Sequence, residues 1–140
     1  MSAVDNRQLV SQLWEDLYAR DYDGVASHFA DDAEYTDVPS PADDVARGRA
    51  EIAARLRLGF GTLASIDHDV RSVVAEGDTV VTEHVEHWDW GTGDEVDLPV
   101  LSIHQFRDGQ VARWWDYWDM QTLMNAAPAS WIEHVMQGYK

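Results

Sequence analysis

SIDHDVRSVVAEGDTVVTEHVEHWDWGTGDEVDLPVLSIHQFRDGQVARWWDYWD, residues 65–119, decides the fold. Its apolar and β-branched residues fall into the segments IDHDVRSVVA, TVVTEHVEHWDW, EVDLPVLSIHQF and QVARWWDYWD, separated by the turn sequences EGD, GTGD and RDG. Strand-length segments joined by turns this short fold back on one another, which predicts an antiparallel meander of four strands. In the third segment Leu98, Val100 and Phe106 share one parity and Leu101 and Ile103 the other. Both faces of the sheet are therefore apolar enough to be covered. A second copy of the chain on the outer face, a homodimer, is the expected cover.

Upstream of Ser65 the apolar period is helical. Asp5 and Gln8 form a capping box ahead of Leu9, Val10, Leu13, Trp14, Leu17 and Tyr18, which recur on one helix face. DYDGVASHFADD, residues 21–32, spaces Val25 and Phe29 one turn apart and predicts a second, short helix. Residues 33–38 read as a short strand ended by the loop PSPADD, where Pro39 and Pro41 bar a helix. A third helix is expected over 49–60, facing inward with Ile52, Leu56 and Phe60. A last short helix in PASWIEHVMQGYK is anchored by Trp131. Helices first and a meander after them give an α+β class. With no repeat, linker or low-complexity stretch, residues 1–140 are expected to form a single domain.

Composition narrows the function. Ten Lys plus Arg against 26 Asp plus Glu leave a formal net charge of -16, a field that disfavours nucleic-acid and anionic-membrane partners. There is no cysteine, which excludes disulfides, thiolate nucleophiles and zinc sites built on sulfur. The H-x-E of zinc deaminases also needs a P-C-x-x-C that this chain lacks. Gly91 and Gly93 lie in a hairpin turn and not in a nucleotide-binding strand-to-helix loop. The start, MSAVDNRQLV, has no basic n-region or apolar h-region, and no apolar run reaches membrane-span length, so a cytoplasmic protein is expected.

Alternation puts Thr82, His84, Glu86 and Trp88 on one face of their strand, and Trp114, Asp116 and Trp118 on one face of theirs. Carboxylates interleaved with indoles are desolvated if that face is the inner one, and desolvation raises their pKa towards the range useful for proton transfer. Asp119 falls on the opposite parity and is left to the surface. His84 and Glu86 also fit an exposed cross-strand pairing set, because Glu83 and His87 make the other face equally polar. His104 shares the parity of Val100 and Phe106 and suits either a hydrogen-bonded core residue or a catalyst. His84, Glu86 and His104 have the composition of a two-histidine, one-carboxylate metal site, but nothing in their spacing supports one, and no metal or other cofactor is expected.

The whole chain resembles the nuclear transport factor two-like superfamily, whose fold is a cone of helices and a curved sheet enclosing the active site. LYARDYDGVASHFADDAEYTDVP is similar to the matching stretch of ketosteroid isomerases. That resemblance places Asp37 at their general base and His104 near their oxyanion-donating acid, while their first-helix tyrosine is here Leu13. VVTEHVEHW and SIHQFRDGQVARWWDYWDM resemble the limonene epoxide hydrolases and the SnoaL-like polyketide cyclases. The match implies that Asp116 is a catalytic aspartate and Tyr35 the water-binding tyrosine. Asp37 stands where the hydrolases have asparagine, His84 replaces their arginine, and Glu86 replaces their other aspartate.

The resemblance implies a pocket walled by Trp88, Trp114, Trp118, Leu98 and Val100 for a terpenoid, steroid or polyketide-sized molecule. The first expectation is a cofactor-independent isomerase or cyclase. In it Asp37 abstracts a proton beside a carbonyl, Tyr35 or His104 stabilises the enolate, and His84 with Asp116 returns the proton. The second is an epoxide hydrolase with Asp116 and Glu86 as acid and base and Tyr35 orienting water. The third is a non-catalytic ligand-binding module, because this fold serves many functions.

Overall fold

The computed structural model describes residues 3–138. The first helix, α1, runs Ala3–Tyr18 and begins before the expected capping box, so that Asp5 lies in its first turn. Its face carries Val10, Leu13, Trp14 and Leu17, all buried. A short helix α2, Tyr22–Ala26, is capped by Asp21, whose side chain accepts from the Gly24 amide.

The chain then leaves the helical period earlier than the spacing of Val25 and Phe29 predicts. Strand β1 spans Phe29–Asp37, Phe29 pairs with Val111, and the Val111 amide donates to the His28 carbonyl at 2.8 Å. A long-range ladder here outcompetes the local helix. The Pro-rich loop is followed by a three-residue strand β2, Val45–Arg47, which the sequence did not predict. Helix α3, Gly48–Phe60, turns inward with Ile52, Leu56 and Phe60 as expected. Glu51 reaches back to accept from the Arg47 amide at 2.6 Å and so closes its N-terminus.

The meander follows as β3, Ser65–Glu76, β4, Thr79–Asp89, β5, Glu95–Arg107, and β6, Gln110–Tyr117. Two helices end the described chain: α4, Met120–Ala126, absent from the sequence-based prediction, and α5, Ala129–Met136. Asp119, on the surface as expected, is the N-cap of α4 and accepts from the Thr122 amide.

The six strands form one sheet in the order β2-β1-β6-β5-β4-β3. All neighbours are antiparallel except β1 and β6, which run parallel with Tyr35 opposite Trp114 and Asp37 opposite Asp116. Register shifts, with the extra residues on β1, β3 and β6, bend the sheet. Its inner face meets α1 at one end and α3, α4 and α5 at the other. The alternation expected on β4 holds, with Val80, Thr82, His84, Glu86 and Trp88 all buried. The outer face is open in the single chain, with Val74 61% and Leu101 38% exposed, so the cover expected for it is not supplied from within. Among the described residues no helix is long and apolar enough to cross a membrane.

Candidate active site

Between the inner face and the three helices lies a cavity of about 390 Å³. Phe60, Trp88, Leu98, Val100 and Trp131 are among its apolar walls, and Met120, Met124 and Met136 bring adaptable side chains from α4 and α5. Tyr35, Asp37, Ser40, Arg55, Glu86 and Asp116 are the polar residues that line it. A few convergent polar groups in an apolar cavity are the usual constitution of a small-molecule site.

The parallel pairing of β1 with β6 builds the centre. Tyr35, lying flat on Trp114 at a ring separation of 4.6 Å, places its hydroxyl 2.9 Å from Asp37 Oδ1 and 2.9 Å from Asp116 Oδ2. A phenol has one proton to donate. Both bonds form together only when one carboxyl is neutral and donates to the phenol, while the phenol donates to the other.

The surroundings decide which carboxyl is neutral. Burial pushes Asp116 up to about 8, and the Asp37 charge adds to the push. Burial also raises Asp37, but Trp118 Nε1 donates to its Oδ1 at 3.1 Å and the Arg55 guanidinium stands 3.9 Å from its Oδ2, both favouring the charge. Near neutrality Asp116 is therefore the carboxyl that holds the proton, Tyr35 bridges, and Asp37 is the member of the pair whose donors favour its charged form.

Arg55 is held in turn by Asp44, 2.7 Å away, in a pair of which Asp44 is fully buried and Arg55 keeps only its cavity side open. Neither residue stood out in the sequence. The available signal was an arginine next to the inward-facing Leu56, and its acidic partner lay hidden in a loop read as polar. Removing one member of a buried pair leaves the other uncompensated. Arg55→Met is expected to cost about 3 to 5 kcal/mol of stability, measured by urea unfolding. It should also shift the Asp37 titration upward, measured by carboxyl-carbon NMR.

Glu86 is a third carboxyl on the wall. Burial pushes it up to about 7 against the donors Tyr18 at 2.6 Å and Trp88 Nε1 at 3.2 Å. Tyr18 is the tyrosine that α1 does send towards the site, five positions beyond Leu13, which is buried in the core.

Of the residues singled out in the sequence, Tyr35, Asp37, Glu86, Asp116, Trp88, Trp118, Leu98 and Val100 line the cavity. Trp114, His84 and His104 are not on its wall. Trp114 lies behind Tyr35 and donates from Nε1 to Asp116 Oδ1 at 2.7 Å, so it backs the dyad without forming a wall. His84 sits one step further under α1, bonded to Ser102 at 2.9 Å. His104 is fully buried between Trp14 and Trp114, and neither of its ring nitrogens has a hydrogen-bond partner. Burial pushes it down to about 3, so it is a neutral ring packed among indoles. Strand parity correctly puts all three on the inner face, but it does not say how far along that face the cavity extends. His84, Glu86 and His104 bond to different partners or to none, and among the described residues no group of three or more His, Asp or Glu is placed to hold a metal ion.

The sequence profile of the SnoaL-like domain matches residues 10–114. The chain belongs to the SnoaL-like domain family. It is thereby a member of the nuclear transport factor two-like superfamily, and the sheet and helices agree with that fold. Among solved structures, this SnoaL-like chain is similar to an LEH-like epoxide hydrolase of M. tuberculosis, with 22% identity over 97% of this chain and 92% of that one, at a TM-score of 0.73. A candidate SnoaL-like polyketide cyclase from Jannaschia sp. CCS1 is similar with 20% identity over 91% and 94% of the two chains, at 0.78. A candidate ketosteroid isomerase from Kribbella flavida shares 18% over 84% and 79%, at 0.69. At these identities the likeness concerns the fold of the SnoaL-like domain, and the chemistry has to be argued from the side chains.

Proposed function

We propose that the protein is a cofactor-independent isomerase or cyclase acting on a hydrophobic, carbonyl-containing small molecule of polyketide, terpenoid or steroid-like type. The observation that carries this reading is the Tyr35 hydroxyl held 2.9 Å from each of two carboxyls, of which Asp116 is pushed up to about 8 and Asp37 has Trp118 and Arg55 to oppose the effect of its burial. Asp37 serves as the base that removes a proton from the carbon beside the carbonyl. Asp116 is the acid that protonates the oxygen or a second carbon, and Tyr35, released from Asp37 as that carboxyl takes up the substrate proton, donates to the developing enolate, a contact worth about 2 to 4 kcal/mol when aligned. Proton transfer through Tyr35 then returns the pair to its starting state. His84 and His104, off the wall, take no direct part in these steps.

Incubation with a panel of apolar ketones in deuterated water tests the reading. Exchange of deuterium into the carbon beside the carbonyl, or formation of a ring across it, supports the proposal. Absence of both over the panel removes its basis.

Epoxide hydrolysis is the second reading, favoured by Glu86, whose neutral point near 7 sets a second proton-carrying group on the same wall as Asp116. Labelled solvent oxygen found in a diol would decide for it. A non-catalytic ligand carrier is the third reading, and unaltered ligand affinity after all pocket carboxylates are replaced would favour it.

We propose further that the protein is a homodimer joined through the outer sheet face. Val74, Val81, Ile103 and Trp115 lie opposite one another across β3, β4, β5 and β6 as an apolar row. Ile103→Asp is expected to convert a dimer into a monomer in sedimentation velocity. A wild-type monomer at micromolar concentration would end this proposal.

A further inference from the structure

The cavity occupies only one end of the inner face, and Asp116 stands on the boundary. Its Oδ2 faces Tyr35 and its Oδ1 faces the other way, accepting from Ser102 Oγ at 2.6 Å. Ser102 Oγ lies 2.9 Å from His84 Nε2. His84 Nδ1 lies 3.0 Å from His68 Nδ1, on the edge strand β3. Ser102 and His84 are buried, while His68 is part-exposed between the exposed Asp67 and Asp69.

We propose that Ser102, His84 and His68 form a proton wire that joins Asp116 to solvent by a route separate from the cavity. The proposal rests on Asp116 being the acid of the dyad.

The directions of the bonds make the wire continuous. Ser102 donates to Asp116, so its oxygen is free to accept, and His84 donates from Nε2. A neutral His84 is then bare at Nδ1 and accepts from His68 Nδ1–H. Every donor points at the carboxyl. A proton taken from water at His68 Nε2 releases the one on its Nδ1 to His84 Nδ1. His84 passes its Nε2 proton to Ser102, and Ser102 passes its own to Asp116 Oδ1. One proton leaves solvent and one arrives on Asp116. Ser102, His84 and His68 each end neutral, with the two imidazoles in their opposite tautomers, and a turn of the Asp116 carboxyl brings the proton to the Tyr35 side. The reverse sequence empties Asp116.

The packing suits this task. Trp14 of α1 covers His84 at a ring separation of 4.8 Å and His68 at 5.4 Å. Tyr18 of α1 stacks on His68 at 4.1 Å. The aromatic cover keeps water off the middle of the chain. Burial pushes His84 down to about 3, so it works as a neutral ring and does not trap charge. At the outer end Asp67 and Asp69 are the charged neighbours on the same strand, Glu86 is the register partner across the ladder, and His87 adds a weak opposing influence. The two exposed aspartates are suited to gather protons for His68. With the cavity filled by an apolar molecule, this route leaves the protonation of the dyad in equilibrium with the medium.

The test needs no substrate. The infrared C=O band of protonated Asp116, assigned by its loss in Asp116→Asn, is followed after a flash-released proton at alkaline pH. His68→Gln is expected to slow its appearance at least tenfold, and imidazole in the buffer to restore it in a saturable way. Ser102→Ala is expected to slow it similarly without rescue. Before the flash, at alkaline pH with Asp116 ionised, nitrogen-15 histidine spectra should show His84 protonated at Nε2 and bare at Nδ1. Unchanged rates in both variants, slowing in His68→Gln that imidazole does not relieve, or the opposite His84 tautomer in that ionised state would each overturn the wire. Because only proton arrival is read, the wire can fail while turnover still depends on Asp37 and Asp116. Equally, it can stand if the proposed reaction does not.

Discussion

Asp37→Asn is expected to lower kcat on a carbonyl substrate by about 10²- to 10⁴-fold, the usual worth of a positioned general base. The substitution is close to isosteric. The amide oxygen still accepts from Tyr35 and Trp118, which reach Asp37 Oδ1 at 2.9 and 3.1 Å. The nearby cation remains neutralised by Asp44 at 2.7 Å, so the fold is expected to persist. What is lost is the carboxyl of the pair that has Trp118 and Arg55 beside it to support a charge. The effect should fall on kcat with little change in KM, since the apolar walls that hold the ligand are untouched. Steady-state kinetics on the active member of the ketone panel measures it. Retention of near full turnover would remove Asp37 from the mechanism.

Asp116→Asn carries the second large effect, and its signature is in the pH dependence. An acid with its neutral point near 8 gives the wild-type kcat/KM an alkaline limb there, because activity needs the protonated form. The acid limb belongs to Asp37, which must be ionised. In Asp116→Asn the residual rate should lose the alkaline limb and fall about 10²-fold or more below it. Stability should move the other way. An unfolded aspartate titrates near 3.8, so between there and about 8 the folded protein holds a proton that the unfolded chain has released. Wild-type stability therefore falls as pH rises through this window. Glu86, with its neutral point near 7, adds to the same slope. Asparagine has no charge to bury, and Asp116→Asn is expected to have the higher Tm above pH 8. A Tm difference that does not grow with pH would contradict the buried-acid assignment.

How much of this could be read from the sequence varied with the range of the interaction. The meander was legible because alternation and short turns are local signals, and the inward parity of Glu86, Asp116 and Trp118 came with it. Asp37 was placed through the family resemblance, supported by the extended stretch around it. Strand β2 and helix α4 were missed because three and seven residues carry too little periodicity. Phe29 was assigned to a helix because the ladder that makes it a strand involves Val111, far along the chain. The Arg55–Asp44 pair has the same origin: two charged residues in an acidic sequence look solvated until packing seals them. Trp114 was expected on the cavity wall because parity fixes a face and not a depth. Ser102 shares that parity and drew no attention, since a lone serine in a strand has no pattern to distinguish it.

The parallel contact of β1 with β6 has a kinetic consequence. Tyr35 and Asp116 are 81 positions apart, and pairing their strands closes a loop that contains the whole meander. Contacts of such separation carry a loop-closure cost and slow folding. A molecule with every hairpin in place but β1 unpaired has no contact between Tyr35 and Asp116, and the two carboxyls that Tyr35 bridges stay apart.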